Sequence, residues 1–178
     1  MSRTQNQIGQ LGLFRPDSDW KTPTELADLR RRPVVAIDTE GRDDGLGTGR
    51  GPGWALGPAG YTCGFSWAAE GTKGYAPIRH PESDNFPVEN VYRWYSDLAK
   101  SGTRIVFHNG PYDIGWTTAQ GCDTPVNIED TSAAAVMIDE NHRSYSLDAC
   151  LEREGLPLKN TELLYEAARA YGGDVKNP

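Results

Sequence analysis

The stretch Pro33-Val34-Val35-Ala36-Ile37-Asp38-Thr39-Glu40 decides the fold. Four consecutive apolar residues, two of them valine and one isoleucine, suit a central β-strand buried on both faces. The run stops at once on two carboxylates. In a strand, positions i and i+2 leave from the same side, so Asp38 and Glu40 are expected to project together from the end of a buried strand. Two like charges at that spacing repel unless a cation lies between them, and hard cations such as Mg²⁺ and Mn²⁺ prefer carboxylate oxygen. The competing reading is a pair of solvated acids. With 25 acidic residues among 178, the spacing arises about once by chance, so its place after the apolar strand carries the information.

Downstream of this strand, residues 41–60 contain eight glycines and two prolines. That composition predicts a long loop rather than a regular element. It holds neither a G-x-G-x-x-G nor a Gly-Lys-Ser/Thr, so it is no nucleotide-binding fingerprint. From Tyr61 to Ala69 apolar residues alternate, and after a turn at Glu70-Gly71-Thr72-Lys73 a second strand runs from Tyr75 to Ile78, giving an antiparallel start to the sheet. Val88, Val91, Trp94 or Tyr95, and Leu98 repeat at helical spacing, and Ser101-Gly102 ends that helix before a strand over 104–108. A helix between two strands predicts a parallel crossover. Further helices are expected over Ala133–Ile138, with Asp130 as N-cap, over Leu147–Leu151 and over Leu163–Tyr171. The fold class is therefore α/β, with a mixed sheet flanked by helices. Upstream, residues 1–32 read as an arm followed by a short helix, because Thr22-Pro23-Thr24-Glu25 has the capping-box pattern with proline at the first helical position.

A second acidic motif closes the strand after the crossover: His108-Asn109-Gly110-Pro111-Tyr112-Asp113. Taken alone, Asn109 reads equally well as a helix cap with Asp113 complementing the helix dipole. If the two strands are neighbours, however, both motifs meet at one sheet edge.

The combination of Asp38-Thr39-Glu40, His108 to Asp113, Glu129-Asp130-Thr131 before an alanine-rich helix, and Tyr145-Ser146-Leu147-Asp148-Ala149 resembles the DEDD-type 3′–5′ exonuclease superfamily. The likeness is strongest to the proofreading domains of family A DNA polymerases, particularly phage ones, and spans roughly residues 33–158. The resemblance implies an RNase H-like fold over 33–178, with Asp38, Glu40 and Asp113 as carboxylates of a site for two Mg²⁺ or Mn²⁺ ions. It implies that Thr39 and Asn109 lie along the bound strand. Tyr112 would form a wall of the site and Leu46 a wedge under the last base. The substrate implied is a single-stranded DNA 3′ end, and the partner a polymerase domain or replication protein. The family's third motif, an aspartate four residues after a tyrosine or five after a histidine on the last helix, is not found: Arg169 follows Tyr165 and Leu147 follows His142 at those spacings. Loss of that fourth carboxylate predicts a fragment or short relative with weak activity. The alternative is a nucleic-acid-binding or replication-partner module of the same fold that does not cut.

Composition narrows the remaining classes. A net charge of −7 argues against a broad basic face that grips nucleic acid. Cys63, Cys122 and Cys150 are odd in number and lack a C-x-x-C pair, so neither a disulfide framework nor a zinc knuckle is expected. No apolar stretch approaches bilayer length and the first ten residues are polar, which predicts an intracellular protein without membrane contact, in the host cytoplasm if phage-encoded.

Overall fold

A computed structural model of the chain describes residues 21–57, 59–80, 84–159, 161–162 and 165–166. Residues 22–147 form one compact unit, and the chain from Asp148 onward belongs to a second, together with residues 1–21. In the larger unit, β1 (Val34–Asp43), β2 (Gly60–Ala69), β3 (Thr72–Pro77), β4 (Arg104–Phe107) and β5 (Ile128–Asp130) make one sheet in the order β3-β2-β1-β4-β5. Strands β1–β3 pair antiparallel, with Gly71 taking the positive φ of 73° at the β2–β3 turn. The pairs β1–β4 and β4–β5 are parallel.

Helix α1 (Val88–Lys100) is the crossover between β3 and β4, and its buried stripe of Val91, Tyr95 and Leu98 covers one face of the sheet. Val35 and Ile37 of β1, Phe65 and Trp67 of β2, and Ile105 and Phe107 of β4 pack under it. The Phe65 and Tyr95 rings lie 5.4 Å apart, as do those of Trp67 and Trp94, so the aromatic residues of α1 belong to the core and its margin. Helices α2 (Gly110–Ala119) and α3 (Thr131–Ile138) follow β4 and β5, and α4 runs over Leu147–Arg153. Among the described residues no helix is long and apolar enough to cross a membrane.

Three expectations are corrected. First, residues 22–31 form no helix. Their carbonyls bond to distant side chains instead: Trp94 Nε1 donates to the Ala27 oxygen (2.7 Å) and Thr103 Oγ1 to that of Arg30 (2.9 Å). This non-helical path buries Leu29 in the core, with Leu26 and Ala27 packed at its edge. Second, β1 is buried on one face only, since exposed Ala36 and Asp38 alternate with buried Val35 and Ile37. An apolar run of this length reads the same whether one face or both are covered. Third, β1 does not stop at Asp38 and Glu40 but runs on into the glycine-rich stretch as far as Asp43, because Gly41, Arg42 and Asp43 still pair with β2. The parallel part of the sheet also contains β5, whose three residues are too short to show any period. The helix expected over Leu163–Tyr171 and the arm before Lys21 lie outside the described residues, apart from Tyr165 and Glu166, which are helical.

Candidate active site

The parallel pairing of β1 with β4 brings the C-terminal ends of both strands to the same side of the sheet, the place where open α/β sheets build their sites. Asp38 pairs with Ser66 of β2 and Glu40 with Gly64, and the register slips between Glu40 and Gly41. A bulge at this point re-aims the chain just after the carboxylates.

Asp113 stands on the first turn of α2 and is only 3% exposed. Its Oδ1 accepts two hydrogen bonds from Thr39, from the backbone N–H at 2.8 Å and from Oγ1 at 2.6 Å. Thr39 is thus the joint between the two acidic motifs. Burial pushes the Asp113 carboxyl up to about 6; the two Thr39 bonds pull the other way, and the negative charge of Asp38 adds to the rise. Asp38 and Asp113 are therefore close enough to repel. Asp38 and Glu40 are themselves exposed and, by strand alternation, leave β1 from the side opposite Thr39. Among the described residues no three His, Cys, Asp or Glu side chains are gathered into a metal cluster. The donor set nevertheless fits a hard divalent cation in kind: all-oxygen ligands, one of them a buried carboxyl that a neighbouring positive charge would help to ionise.

Asn109 does not cap α2 with its side chain. It adopts a left-handed conformation (φ 68°, ψ 47°), alone among the described non-glycine residues in having positive φ. Such a residue is held by its surroundings, and the holder is Asp130. One Asp130 oxygen accepts from the backbone N–H of Asn109 (3.1 Å) and the other from that of Gly110 (2.8 Å), while the same carboxylate caps α3 through Ser132 (2.8 Å) and Ala133 (3.3 Å). Burial alone would raise its pKa, but these four N–H donors outweigh it and hold the group below the ordinary range. His108 bonds through its ring to the Thr131 hydroxyl and the Tyr145 carbonyl, both at 2.9 Å, so it is a structural strand-end residue.

The glycine-rich loop is folded. Two 3₁₀ turns, Leu46–Thr48 and Gly53–Leu56, lie within it, and Leu46 is 58% exposed on the first. Trp54 of the second turn packs directly on α2 at Gly115, where a Cβ would stand 2.2 Å from the indole. Tyr112 is half-buried, and its hydroxyl donates to Asp43 Oδ2 at 2.8 Å. Burial pushes that phenol up to about 12. Sequence reasoning missed Asp43, although Asp-x-Gly is a turn signal that points to an acceptor for nearby N–H groups.

No family model matches the chain. It is 38% identical over 165 residues to the DNA-directed DNA polymerase of Pseudomonas phage M6, a match covering 89% of this chain and 25% of that protein. It is 29% identical over 116 residues to the DNA polymerase DpoZ of Acinetobacter phage SH-Ab 15497, covering 62% of this chain and 19% of that protein. The chain thus spans about a quarter or less of the length of these polymerases. Among solved structures it is similar to Brucella melitensis NrnC bound to pGG, with a TM-score of 0.55, 18% identity, and 76% of this chain and 60% of that one covered. NrnC with bound Mg²⁺ gives a TM-score of 0.53 at 16% identity over 88% of this chain and 73% of that one. The fold is RNase H-like, an α/β mixed sheet of the kind found in these structures.

Proposed function

We propose that the chain is a metal-dependent 3′–5′ exonuclease acting on single-stranded DNA ends, serving a phage-type polymerase as its proofreading module. On this reading residues 33–178 are the exonuclease domain, 1–32 its lead-in, and the setting is intracellular. The observation that carries it is the Thr39–Asp113 joint, which ties a buried, hard-to-ionise carboxyl to the strand bearing Asp38 and Glu40. The polymerase relatives and the Mg²⁺-bound NrnC support it.

Asp38, Glu40 and Asp113 would hold the divalent ions. When bound, such ions acidify a water and offset charge on the leaving oxygen of the phosphodiester. Thr39 fixes the orientation of the Asp113 carboxyl through two hydrogen bonds to Oδ1, and the second oxygen would serve the ion. Glu40, two residues beyond Asp38 at the bulge, would align the attacking water. Asn109 presents its amide from a held, left-handed backbone along the DNA strand. Tyr112 and Leu46 would contact the terminal base, an arrangement that favours an unpaired end and tolerates any sequence.

The test is release of mononucleotides from a single-stranded oligonucleotide carrying a 5′ label, with Mg²⁺ or Mn²⁺. Progressive shortening from the 3′ end is expected, abolished by EDTA and by Asp38→Ala or Asp113→Ala. A rate that survives both substitutions, or shortening from the 5′ end, rejects the assignment. A second reading is a non-cutting module of the same fold. Tight binding of the oligonucleotide in Mg²⁺ without hydrolysis would select it.

A further inference from the structure

Asp43 sits at the end of β1, outside the hydrophobic core and outside the three acids considered above. Its carboxylate nonetheless carries four hydrogen bonds. Oδ1 accepts from the backbone N–H groups of Gly45 (2.8 Å), Leu46 (3.2 Å) and Gly53 (2.9 Å), and Oδ2 accepts from the Tyr112 hydroxyl (2.8 Å). Gly53 comes so near that an added Cβ would stand 2.8 Å from Oδ1 and 2.4 Å from the Ala59 carbonyl oxygen. The Asp44 N–H closes the loop base by donating to that same carbonyl, at 3.0 Å. A stretch this rich in glycine has a large conformational entropy when free. One carboxylate therefore orders the loop and ties it to α2, across 69 residues of sequence, one position before Asp113.

The two segments joined are those carrying Leu46 and Tyr112, the residues assigned above to the terminal base. We propose that Asp43 is a positioning residue for substrate: it sets the Leu46 turn and the Tyr112 ring in one frame, so that the last nucleotide is gripped between parts already ordered before it arrives. This rests on the exonuclease reading of the site. Pre-ordering of this kind acts on affinity for the DNA end, because ordering the loop no longer has to accompany binding. The effect of losing Asp43 therefore falls on KM more than on kcat.

Asn at this position keeps an oxygen for the three backbone N–H groups, and its amide donates to the tyrosine oxygen, whereas Ala removes every bond. The experiment uses the full chain, with a fluorescein-labelled single-stranded oligonucleotide and Ca²⁺ in place of Mg²⁺, reading Kd by anisotropy. Asp43→Ala is expected to weaken binding about 5- to 10-fold and Tyr112→Phe about 3-fold. The double variant should be no weaker than Asp43→Ala, because the two residues act through one bond, and Asp43→Asn should restore nearly wild-type affinity. With Mg²⁺, KM of Asp43→Ala should rise by the same factor as Kd. Independent losses that multiply in the double variant, an Asp43→Asn as weak as the alanine, or unchanged Kd in both single variants would overturn the proposal. Should Asp43→Ala fail to fold, Tyr112→Phe against Asp43→Asn still decides it. If the wild-type chain neither binds nor cleaves the oligonucleotide, the exonuclease reading itself fails and takes this role with it, an outcome distinct from an active enzyme indifferent to Asp43.

Discussion

Asp113 combines three properties that ordinary surface acids lack: burial, two bonds from Thr39, and a neighbouring Asp38. Its proton dissociates near 6 in the folded chain against an ordinary 3.8. Between those values the folded state holds more protons than the unfolded one, so this group makes stability fall as pH rises through the window. Above it the ionised carboxylate costs on the order of 3 kcal/mol at most. Asp113→Asn keeps an acceptor for Thr39 and removes the charge, so in EDTA at pH 8 it should melt above wild type, with the gap closing near pH 4. Mg²⁺ should raise the melting temperature of wild type and leave the variant unmoved; a variant less stable than wild type at pH 8 would contradict this. The candidate acids stand out in the sequence because Asp38 and Glu40 follow directly on the apolar run of β1, which itself continues to Asp43, and Asp113 follows the turn after β4. Asp43 does not stand out, since its importance comes from Tyr112 and Gly53, partners that no local spacing reveals.

At the level of elements, α2 and α3 start side by side because Asp130 serves both N-termini. Asp130→Ala leaves Asn109, Gly110, Ser132 and Ala133 without their acceptor, and a cap alone is worth about 1 kcal/mol. The expected loss is about 2 to 3 kcal/mol in urea unfolding, with Asn109 released from its left-handed conformation. A loss under about 0.5 kcal/mol would mean that neighbouring groups replace this carboxylate. Because its pKa is depressed, its contribution is full at neutral pH and is lost as acidification passes through that lowered value. Strands β1 to β4 and helix α1 could be read from period and turn residues. Asp130 could be read as the cap of α3, though its second set of bonds to the start of α2 could not. The Thr22 capping box misled because Trp94 and Thr103, far along the chain, compete for the carbonyls a helix would need. Local propensity lost to tertiary bonds.

The whole molecule sets β1 between an antiparallel hairpin and a parallel crossover, and this is what gathers the two acidic motifs. The antiparallel start and the parallel crossover were foreseeable from the alternation of strand, hairpin, helix and strand, whereas the adjacency of β1 and β4 was only a condition in the sequence. The fold of the glycine loop onto α2 was not foreseeable, because Trp54 meets Gly115 through shape alone. The central claim is that Asp38, Glu40 and Asp113 share a cation. Mn²⁺ titration of the full chain, followed by the loss of the free-ion electron paramagnetic resonance signal, tests it most directly. Saturable binding is predicted in wild type, weakened in Asp38→Ala and in Asp113→Asn beyond the roughly 10- to 100-fold typical of losing an outer-shell partner. Mn²⁺ binding of equal strength in wild type and both variants would contradict the account.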